Sequence, residues 1–145
     1  MKIQKLLSIV FACLFVILIA GCQAQILSET FSNTSKVTKD WVNACIREDA
    51  IAAAKYWSKS DPEQAKNQSE LLCDLHKRAK FELVSVEDRG SLISSGRLSV
   101  FLRRGDGKTG EMVVSLANSD NSVVIIRVEF QYGQVGSQYE SNFWR

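Results

Sequence analysis

The spacing of hydrophobic residues changes along the chain and divides it into three parts. Residues 6–20 form an uncharged, largely apolar run. From about residue 35 to residue 80, hydrophobic side chains recur every three to four positions, which is the period of an α-helix. After residue 80 they alternate with polar side chains, which is the period of a β-strand. We therefore expect an apolar leader, a helical half and a β half, in this order.

Two helices are predicted at the start of the helical half. Ser35 is the expected N-cap of the first helix, whose buried face would carry Val37, Trp41, Ala44 and Cys45. Asp49 is the expected cap of the second helix, which should run from Ala50 to Ser58. The residues of this second helix that are expected to face the core are Ile51, Ala54 and Trp57.

The third predicted helix has the clearest start signal in the chain. Asp61 is a good N-cap, and Pro62 suits the first helical position because its ring already fixes a helical φ angle. The helix should end at about Ala79, beside basic residues that suit the negative pole of its dipole. Its expected buried stripe is Ala65, Leu72, Leu75, His76 and Ala79.

Four strands are predicted after residue 80. Their expected ranges are Phe81–Glu87, Leu92–Arg104, Thr109–Ala117 and Ser122–Tyr132. The last strand should set Val124, Ile126, Val128, Phe130 and Tyr132 on one face. Short turns at Gly105–Lys108 and Asn118–Asn121 favour antiparallel pairing. Since the helices come first and the strands later, the predicted fold class is α+β.

The leader has the features of an export signal. Lys2 and Lys5 precede the apolar run, which is 15 residues long. A membrane-spanning helix needs about 20 apolar residues, whereas a secretory signal combines a basic start, a short apolar stretch and small residues before its cleavage site. We predict a cleaved signal peptide over residues 1–21, with an uncleaved N-terminal anchor as the alternative.

The run ends Leu18-Ile19-Ala20-Gly21-Cys22, which resembles a bacterial lipobox. The resemblance implies that Cys22 receives a diacylglycerol group and becomes the first residue of the mature chain. Cys13 would be lost with the signal peptide. One acyl chain holds a protein only marginally, so the two or three chains implied here would anchor it durably. An ordinary signal peptide followed by an accidental cysteine is the alternative.

The lipobox implies a location at the cell envelope. Gln23 follows Cys22, where enteric lipoproteins retained in the inner membrane often carry Asp. The resemblance thus implies the periplasmic side of the outer membrane, if the host is Gram-negative. Residues 22–34 are predicted to be a lipidated cysteine and a flexible tether, spanning roughly 20 Å. A domain over residues 35–132 and an aromatic-bearing tail over residues 133–145 would follow.

Charge excludes one class of partner. The chain has a formal net charge of +2, with 18 Lys and Arg and 16 Asp and Glu residues. The predicted signal peptide holds two of the lysines and none of the acidic residues, so the rest of the chain is formally neutral. A neutral domain lacks the basic surface of a nucleic-acid-binding protein, and we predict no nucleic-acid partner.

The predicted order of elements is similar to that of the NTF2-like (cystatin-like α+β) superfamily. Residues 39–58, KDWVNACIREDAIAAAKYWS, carry most of the resemblance: an aromatic helix, an acidic break, then an alanine-rich helix ending in an aromatic residue. It implies N-terminal helices packed on a curved antiparallel four-stranded sheet that forms a cone with an open end. Members of this superfamily bind ligands, catalyse reactions or dimerise, so the fold does not fix the function.

The candidate chemistry of the chain is sparse. His76 is the only histidine, and the sequence does not indicate a carboxylate that would pair with it. A small enzyme with His76 as general base is one alternative function. A carrier of a small apolar ligand, with Trp41 and Trp57 lining the cone, is another. For His76, Trp41 and Trp57 alike, the expected role is packing in the core.

Cys45 and Cys73 are the two cysteines that follow Cys22. In an oxidising compartment an even pair suggests a disulfide, here between the first and third helices. Two separate buried thiols are the alternative. The chain has no Cys-x-x-Cys motif and too few ligands for zinc, so we predict neither a metal nor another cofactor.

Two groups of exposed-looking residues have more than one interpretation. Arg97, Arg103 and Arg127 alternate with hydrophobic residues, and a solvated sheet face with cross-strand charge pairs explains them. Anion binding on that face is the alternative. The tail carries Tyr139, Phe143 and Trp144, which would either fold back over the sheet or dock on a partner.

The sequence thus predicts a membrane-anchored envelope lipoprotein with a non-catalytic binding or interaction domain. Its expected partners are the membrane, through the lipid on Cys22, and an unidentified envelope protein.

Overall fold

A computed structural model describes residues 31–89, 96–132, 135 and 140–145. In this part of the chain, three helices precede a four-stranded antiparallel sheet, and a fourth, short helix follows it. This is the α+β architecture that the change of periodicity predicts, so the fold class is confirmed. The predicted signal peptide, the lipobox with Cys22, and residues 23–30 of the tether lie outside the described residues.

Helix α1 covers residues 31–46 and leads through a tight turn into α2, Ala50–Ala54. At the end of α1, the N–H of Glu48 donates to the carbonyl of Cys45 at 2.9 Å, and the N–H of Asp49 donates to that of Ala44 at 3.0 Å. This is a Schellman motif, which requires a left-handed residue after the helix. Glu48 takes that conformation, with φ of 61°. The Asp49 side chain then accepts from the N–H of Ala52 and starts α2.

Helix α3, Pro62–Ala79, has the predicted bounds. The Asp61 side chain accepts a hydrogen bond from the N–H of Gln64 at 2.9 Å, so the predicted N-cap is confirmed. The buried residues of the helix are Ala65, Ser69, Leu72, Cys73 and Leu75. His76 and Ala79 are only half-buried, because the helix turns Ser69 and Cys73 toward α1 and α2.

The first two helices differ from the prediction at their ends. Helix α1 already runs at residue 31, four residues before the predicted N-cap, and Ser35 is buried within it. The second helix stops at Ala54, and Ile51 is exposed while Ala53 is buried. The chain turns at Lys55 and Tyr56, and Trp57 then forms a bridge with Ile125. The N–H of Ser58 donates to the carbonyl of Ile125 at 2.8 Å. Pairing with a strand, rather than a longer helix, therefore brings Trp57 into the core.

The sheet is an antiparallel meander in the order β1-β2-β3-β4. Its strands are β1 (Glu82–Asp88), β2 (Arg97–Arg103), β3 (Thr109–Ser119) and β4 (Ser122–Phe130). Positions 92–95, predicted as the start of the second strand, lie outside the described residues. Asp120 and Asn121 join β3 to β4 with φ of 49° and 61°. Two consecutive left-handed residues form the type I′ turn that suits a two-residue hairpin.

A bulge in each edge strand changes the register that strict alternation predicts. In β1 the pairing with β2 shifts between Leu83 and Ser85, and Val84 is exposed. In β4 the pairing passes from Arg127 to Ile125 and leaves Ile126 unpaired. Ile125 is fully buried, whereas Ile126 is exposed. The prediction that Ile126 shares the inner face was therefore wrong, because an extra residue reverses the alternation.

The core lies between the three helices and the inner face of the sheet. The helices contribute Trp41, Val42, Leu72 and Leu75, which are fully buried. The sheet contributes the fully buried residues Leu98, Val100, Leu102, Met112, Val114, Leu116 and Ile125. Apart from Ile125, these are the alternate positions that the period of two assigns to one face of β2 and β3.

The C-terminal residues complete this core. Helix α4 is a single turn, Glu140–Phe143, and both Phe143 and Trp144 are buried. Arg145 and Thr109 exchange two backbone hydrogen bonds, at 2.7 and 2.9 Å, which tie the chain end to the start of β3. Of the two alternatives for the tail, folding back on the sheet is therefore correct for Phe143 and Trp144. Tyr139 lies outside the described residues.

Candidate functional site

A surface cleft of about 390 Å³ lies where the end of α3 meets the β2–β3 hairpin. Lys80, Phe81 and Glu82, at the junction of α3 and β1, form one wall. The hairpin forms the other wall with Arg103, Arg104, Gly105 and Gly107. Three of the seven lining residues are cations and one is an acid, so we call this feature the basic cleft.

The position of Lys80 follows from the way α3 ends. Lys80 is the C-cap, with φ of 46°, and its N–H donates to the carbonyl of His76 at 2.7 Å. This left-handed turn reverses the chain direction. It sends Phe81 into the core, where that side chain is almost fully buried, and starts β1 at the next residue.

The hairpin wall is held by its own hydrogen bonds. The N–H of Arg104 donates to the carbonyl of Lys108 at 2.8 Å, and the N–H of Gly107 donates to the carbonyl of Arg104 at 2.9 Å. Gly107 has φ of +86°, a conformation that L side chains rarely adopt. Gly105 has no such constraint, and a Cβ added to it would meet no atom within 4 Å. The space above Gly105 is open.

The cleft is backed by aromatic rings. The centroids of Phe81 and Trp144 are 6.1 Å apart, and the Arg104 guanidinium lies 5.6 Å from the centre of the Trp144 ring. The Trp144 indole N–H is buried and has no hydrogen-bond partner within the described ranges. The C-terminal segment therefore supports both walls from behind through Trp144.

Each cation of the cleft has a carboxylate beside it. Lys80 Nζ lies 2.9 Å from Glu48 Oε1, and Arg103 Nη2 lies 2.6 Å from Glu82 Oε1. Arg104 holds Asp106 with two guanidinium nitrogens, and this contact lowers the pKa of Asp106 to about 2. The hydrogen bond from Lys80 likewise lowers the pKa of Glu48. Asp106 and Glu48 therefore remain ionised at neutral pH.

His76, the general base of the alternative enzyme hypothesis, lies near this cleft but does not line it. Its ring meets the edge of the Phe81 ring at 5.0 Å. Burial and then the neighbouring Lys80 charge lower the pKa of His76, so the neutral form is favoured. Its Nδ1 atom is buried and finds no hydrogen-bond partner in the part of the chain that the structure describes. The nearby carboxylate of Glu48 is engaged by Lys80.

Cys45 and Cys73 are both buried and both free thiols in the structure. They lie close enough for their side chains to hydrogen-bond to each other, and Cys45 Sγ also lies 3.6 Å from the carbonyl oxygen of Ser69. Burial is the main cause that raises the pKa of each thiol. The structure thus brings the two predicted partners together on α1 and α3, in the reduced state.

Trp41 and Trp57 are core residues rather than the lining of an open space. Trp41 is fully buried and Trp57 is 4% exposed. Their rings meet edge to face with centroids 5.9 Å apart, and Trp41 Nε1 donates to Ser69 Oγ at 3.3 Å. The expected role of the two side chains in core packing is confirmed.

The outer face of the sheet carries the cross-strand charge pairs that the sequence predicts. Between strands, Arg97 contacts Glu129 at 3.4 Å and Arg103 contacts Glu82. Arg127 contacts Glu129 of its own strand at 2.8 Å. Another pair on this face joins Arg89 to Glu111 at 3.0 Å. Surface pairs of this kind each contribute about 0–1 kcal/mol. They account for Arg97 and Arg127 without a bound anion, whereas Arg103 also lines the basic cleft.

The described residues contain neither a cluster of metal ligands nor a membrane-spanning helix. These residues include no group of three or more His, Cys, Asp and Glu side chains that could hold a metal ion. No helix within them is long and apolar enough to cross a membrane.

Sequence reasoning missed the basic cleft as a site. Lys80 was expected only to complement the dipole of α3, and Arg104 only to end a strand. Two signals were present: basic residues crowd the end of α3, and two consecutive arginines precede a glycine-rich turn. Only tertiary packing brings these two segments together.

The chain matches no protein-family model and no curated protein. Among solved structures it is similar to a protein of unknown function from Mycobacterium tuberculosis, at 10% identity and a TM-score of 0.50, with 81% of this chain and 78% of that chain covered. It is also similar to a Campylobacter jejuni protein provisionally described as an NTF2-like transpeptidase, at 13% identity and a TM-score of 0.48, with 66% of this chain and 98% of that chain covered. At these identities the likeness concerns the fold alone.

Proposed function

We propose that the chain is a membrane-anchored envelope lipoprotein whose NTF2-like domain binds another envelope component without catalysing a reaction. The observation that carries this proposal is the motif Leu18–Cys22, which stands directly after a basic and apolar leader. A lipid on Cys22 would confine the domain to the membrane surface. Eight residues lie between Cys22 and the first helical residue described, which leaves room for a short tether.

The filled interior supports the non-catalytic part of the proposal. In the cone of an NTF2-like enzyme, reactive groups would need space beside them for a substrate. Here Trp41, Trp57 and Phe143 occupy the region between helices and sheet, and each is at most 4% exposed. The charged residues around the basic cleft are engaged in ion pairs, an arrangement suited to recognition.

The two alternative functions have less support. An enzyme using His76 would need that side chain in an open pocket beside an available carboxylate, and His76 is absent from the lining of the basic cleft. A carrier of an apolar ligand would need a cavity beside Trp41 and Trp57, whose rings pack on each other instead.

The anchor is tested by removing the lipidated thiol. The Cys22→Ser variant is expected to gain no lipid and to keep its uncleaved leader, because lipidation of the cysteine precedes cleavage in the lipobox family. The intact mass of the chain measures both effects, and membrane fractionation shows whether any cleaved form remains bound. The native chain should gain the mass of a diacylglycerol group and lack residues 1–21.

The matched control is Cys13→Ser, which changes the same atom inside the leader. This variant should be lipidated, cleaved and retained in the membrane like the native chain. If Cys22→Ser remained in the membrane fraction as a mature, cleaved protein, the proposed anchor would be wrong.

We also propose that Cys45 and Cys73 form a disulfide in the exported protein. Two neighbouring thiols would lose two protons and pass two electrons to a disulfide oxidant of the envelope. Burial raises the pKa of both thiols and so disfavours the reactive thiolate. The bond is therefore expected to form while the chain folds, before α1 and α3 close over the sulfur atoms.

The disulfide is tested by trapping thiols in protein taken from its native compartment. After denaturation without a reductant, an alkylating agent should modify neither Cys45 nor Cys73. Reduction should lower the free energy of unfolding by roughly 3.5 kcal/mol, because the bridge closes a loop of about 29 residues. The Cys45→Ala/Cys73→Ala variant serves as a control that reduction cannot affect. Full alkylation of both thiols before reduction would disprove the bond.

A further inference from the structure

We propose that the basic cleft binds a phosphate group, either of a small soluble phosphate ester or of a lipid headgroup. The inference deepens the proposed function, since it names the class of ligand that the binding domain would recognise. Its cavity of about 390 Å³ is in the range of sites for small molecules.

The charges around the cleft favour an anion. Lys80, Arg103 and Arg104 line it, together with the single carboxylate of Glu82. The acids that neutralise Lys80 and Arg104 are Glu48 and Asp106, and neither is among the lining residues. The residues that line the cleft therefore carry more positive than negative charge. Guanidinium groups also match the geometry of phosphate oxygens, which they bind in pairs.

The cleft can exchange its ion pairs for a ligand. The side chains of Arg103 and Glu82 are 53% and 62% exposed, and those of Lys80 and Glu48 are 65% and 40% exposed. Ion pairs at such exposure are weak, because water screens them. A phosphate with two negative charges could compete with the single carboxylates for these cations.

Two left-handed residues that end helices meet beside the cleft. Lys80 and Glu48 both have left-handed backbones, and their side chains pair with each other. Glycine would adopt this conformation more easily than either residue. The end of each helix accounts for this conformation, which is common in residues that follow a helix. Of the two residues, only Lys80 lines the cleft, which makes its side chain the better candidate for a role in binding.

The test uses the full chain labelled with ¹⁵N. The protein is studied either in discs of phosphatidylcholine or without added lipid. Glycerol 3-phosphate is added up to millimolar concentrations, and amide resonances of the cleft are followed by NMR. Saturable shifts are expected at Phe81, Gly105 and Gly107 and at the indole N–H of Trp144. Inorganic phosphate should produce the same pattern more weakly.

A matched pair of variants separates binding from folding. Lys80→Gly and Glu48→Gly each relieve a left-handed backbone and each break the same ion pair. Lys80→Gly should weaken binding about 10-fold, whereas Glu48→Gly should leave it unchanged or tighter, because it frees a cation. Both variants should melt at or above the temperature of the native chain. Arg97→Gln, which removes a cation from the outer sheet face, should bind normally.

Discs that contain phosphatidylglycerol identify the source of the phosphate. Cleft shifts that depend on phosphatidylglycerol, and that soluble phosphates do not produce, would assign the site to a lipid headgroup. Shifts with the soluble ester would assign it to a small phosphate. The proposal is overturned if neither addition shifts the cleft resonances, or if Lys80→Gly and Arg97→Gln affect binding equally.

These outcomes are independent of the anchor. Binding of the soluble ester is measured on the chain whether or not Cys22 carries lipid. Loss of the proposed anchor would therefore leave the result of the titration intact, and an inert cleft would leave the result of membrane fractionation intact.

Discussion

The Phe143→Ala variant is expected to lose about 3–5 kcal/mol of the free energy of unfolding, the range for removing a buried phenylalanine side chain. Phe143 is fully buried, although only Trp144 and Arg145 follow it in the sequence. Its ring contacts those of Phe130 and Trp144, with centroids 5.6 and 4.9 Å away. Chemical denaturation followed by circular dichroism measures the loss.

A second measurement distinguishes detachment of the C-terminal segment from a cavity left in an otherwise intact core. Once Phe143 is removed, the backbone hydrogen bonds between Arg145 and Thr109 should open more often, because the ring that packs this segment against Phe130 is lost. Amide exchange at Thr109 should then become faster relative to the rest of β3. Ile51→Ala is the control, since Ile51 is 79% exposed and should change stability by less than about 0.5 kcal/mol. An equal, small effect of both variants would show that the C-terminal segment is not part of the core.

The Gly110→Ala variant is expected to cost about 1–3 kcal/mol through overpacking. Gly110 lies on the inner face of β3, directly beneath Phe143. A Cβ at this position would lie 2.4 Å from Cε1 and 2.5 Å from Cζ of the Phe143 ring. The ring cannot move away freely, because Phe130 and Trp144 pack against it. Thermal and chemical denaturation measure the cost.

Two comparisons make this prediction specific. Gly105→Ala adds the same methyl group where no atom lies within 4 Å, so it should be nearly neutral. In a Phe143→Ala background, Gly110→Ala should cost much less, since the ring that it strikes is absent. A double-mutant cycle would thus give a large coupling energy between positions 110 and 143. Additive effects would indicate that the cost at Gly110 has another origin.

These predictions concern a segment whose role the pattern left open. The aromatic residues of the tail suited either folding back or docking on a partner. The alternation of hydrophobic and polar residues also gives no reason for a glycine at position 110, where it interrupts a hydrophobic face. Both features have one explanation in the structure: the glycine leaves room in the sheet for a phenylalanine from the chain end.

Whether a site could be predicted depended on how far apart in the sequence its residues lie. The N-cap at Asp61 was predictable because capping depends on residues three positions apart. The proximity of Cys45 and Cys73 follows from two helical faces that must share one core. The basic cleft was not predictable, because Lys80 and Arg104 are far apart in sequence and neither belongs to a periodic pattern. Cys22 and the leader remain predictions from sequence.

Local physics in the sequence determined which segments become helices and strands, the caps and turns that bound several of them, and the α+β class. These properties depend on periodicity and on contacts within a few residues. Tertiary structure alone decided the bulges at Val84 and Ile126, the early end of α2 and the burial of Phe143. Each of these results from a fit between segments distant in the chain, where the packing of one side chain outweighs the local preference of the backbone.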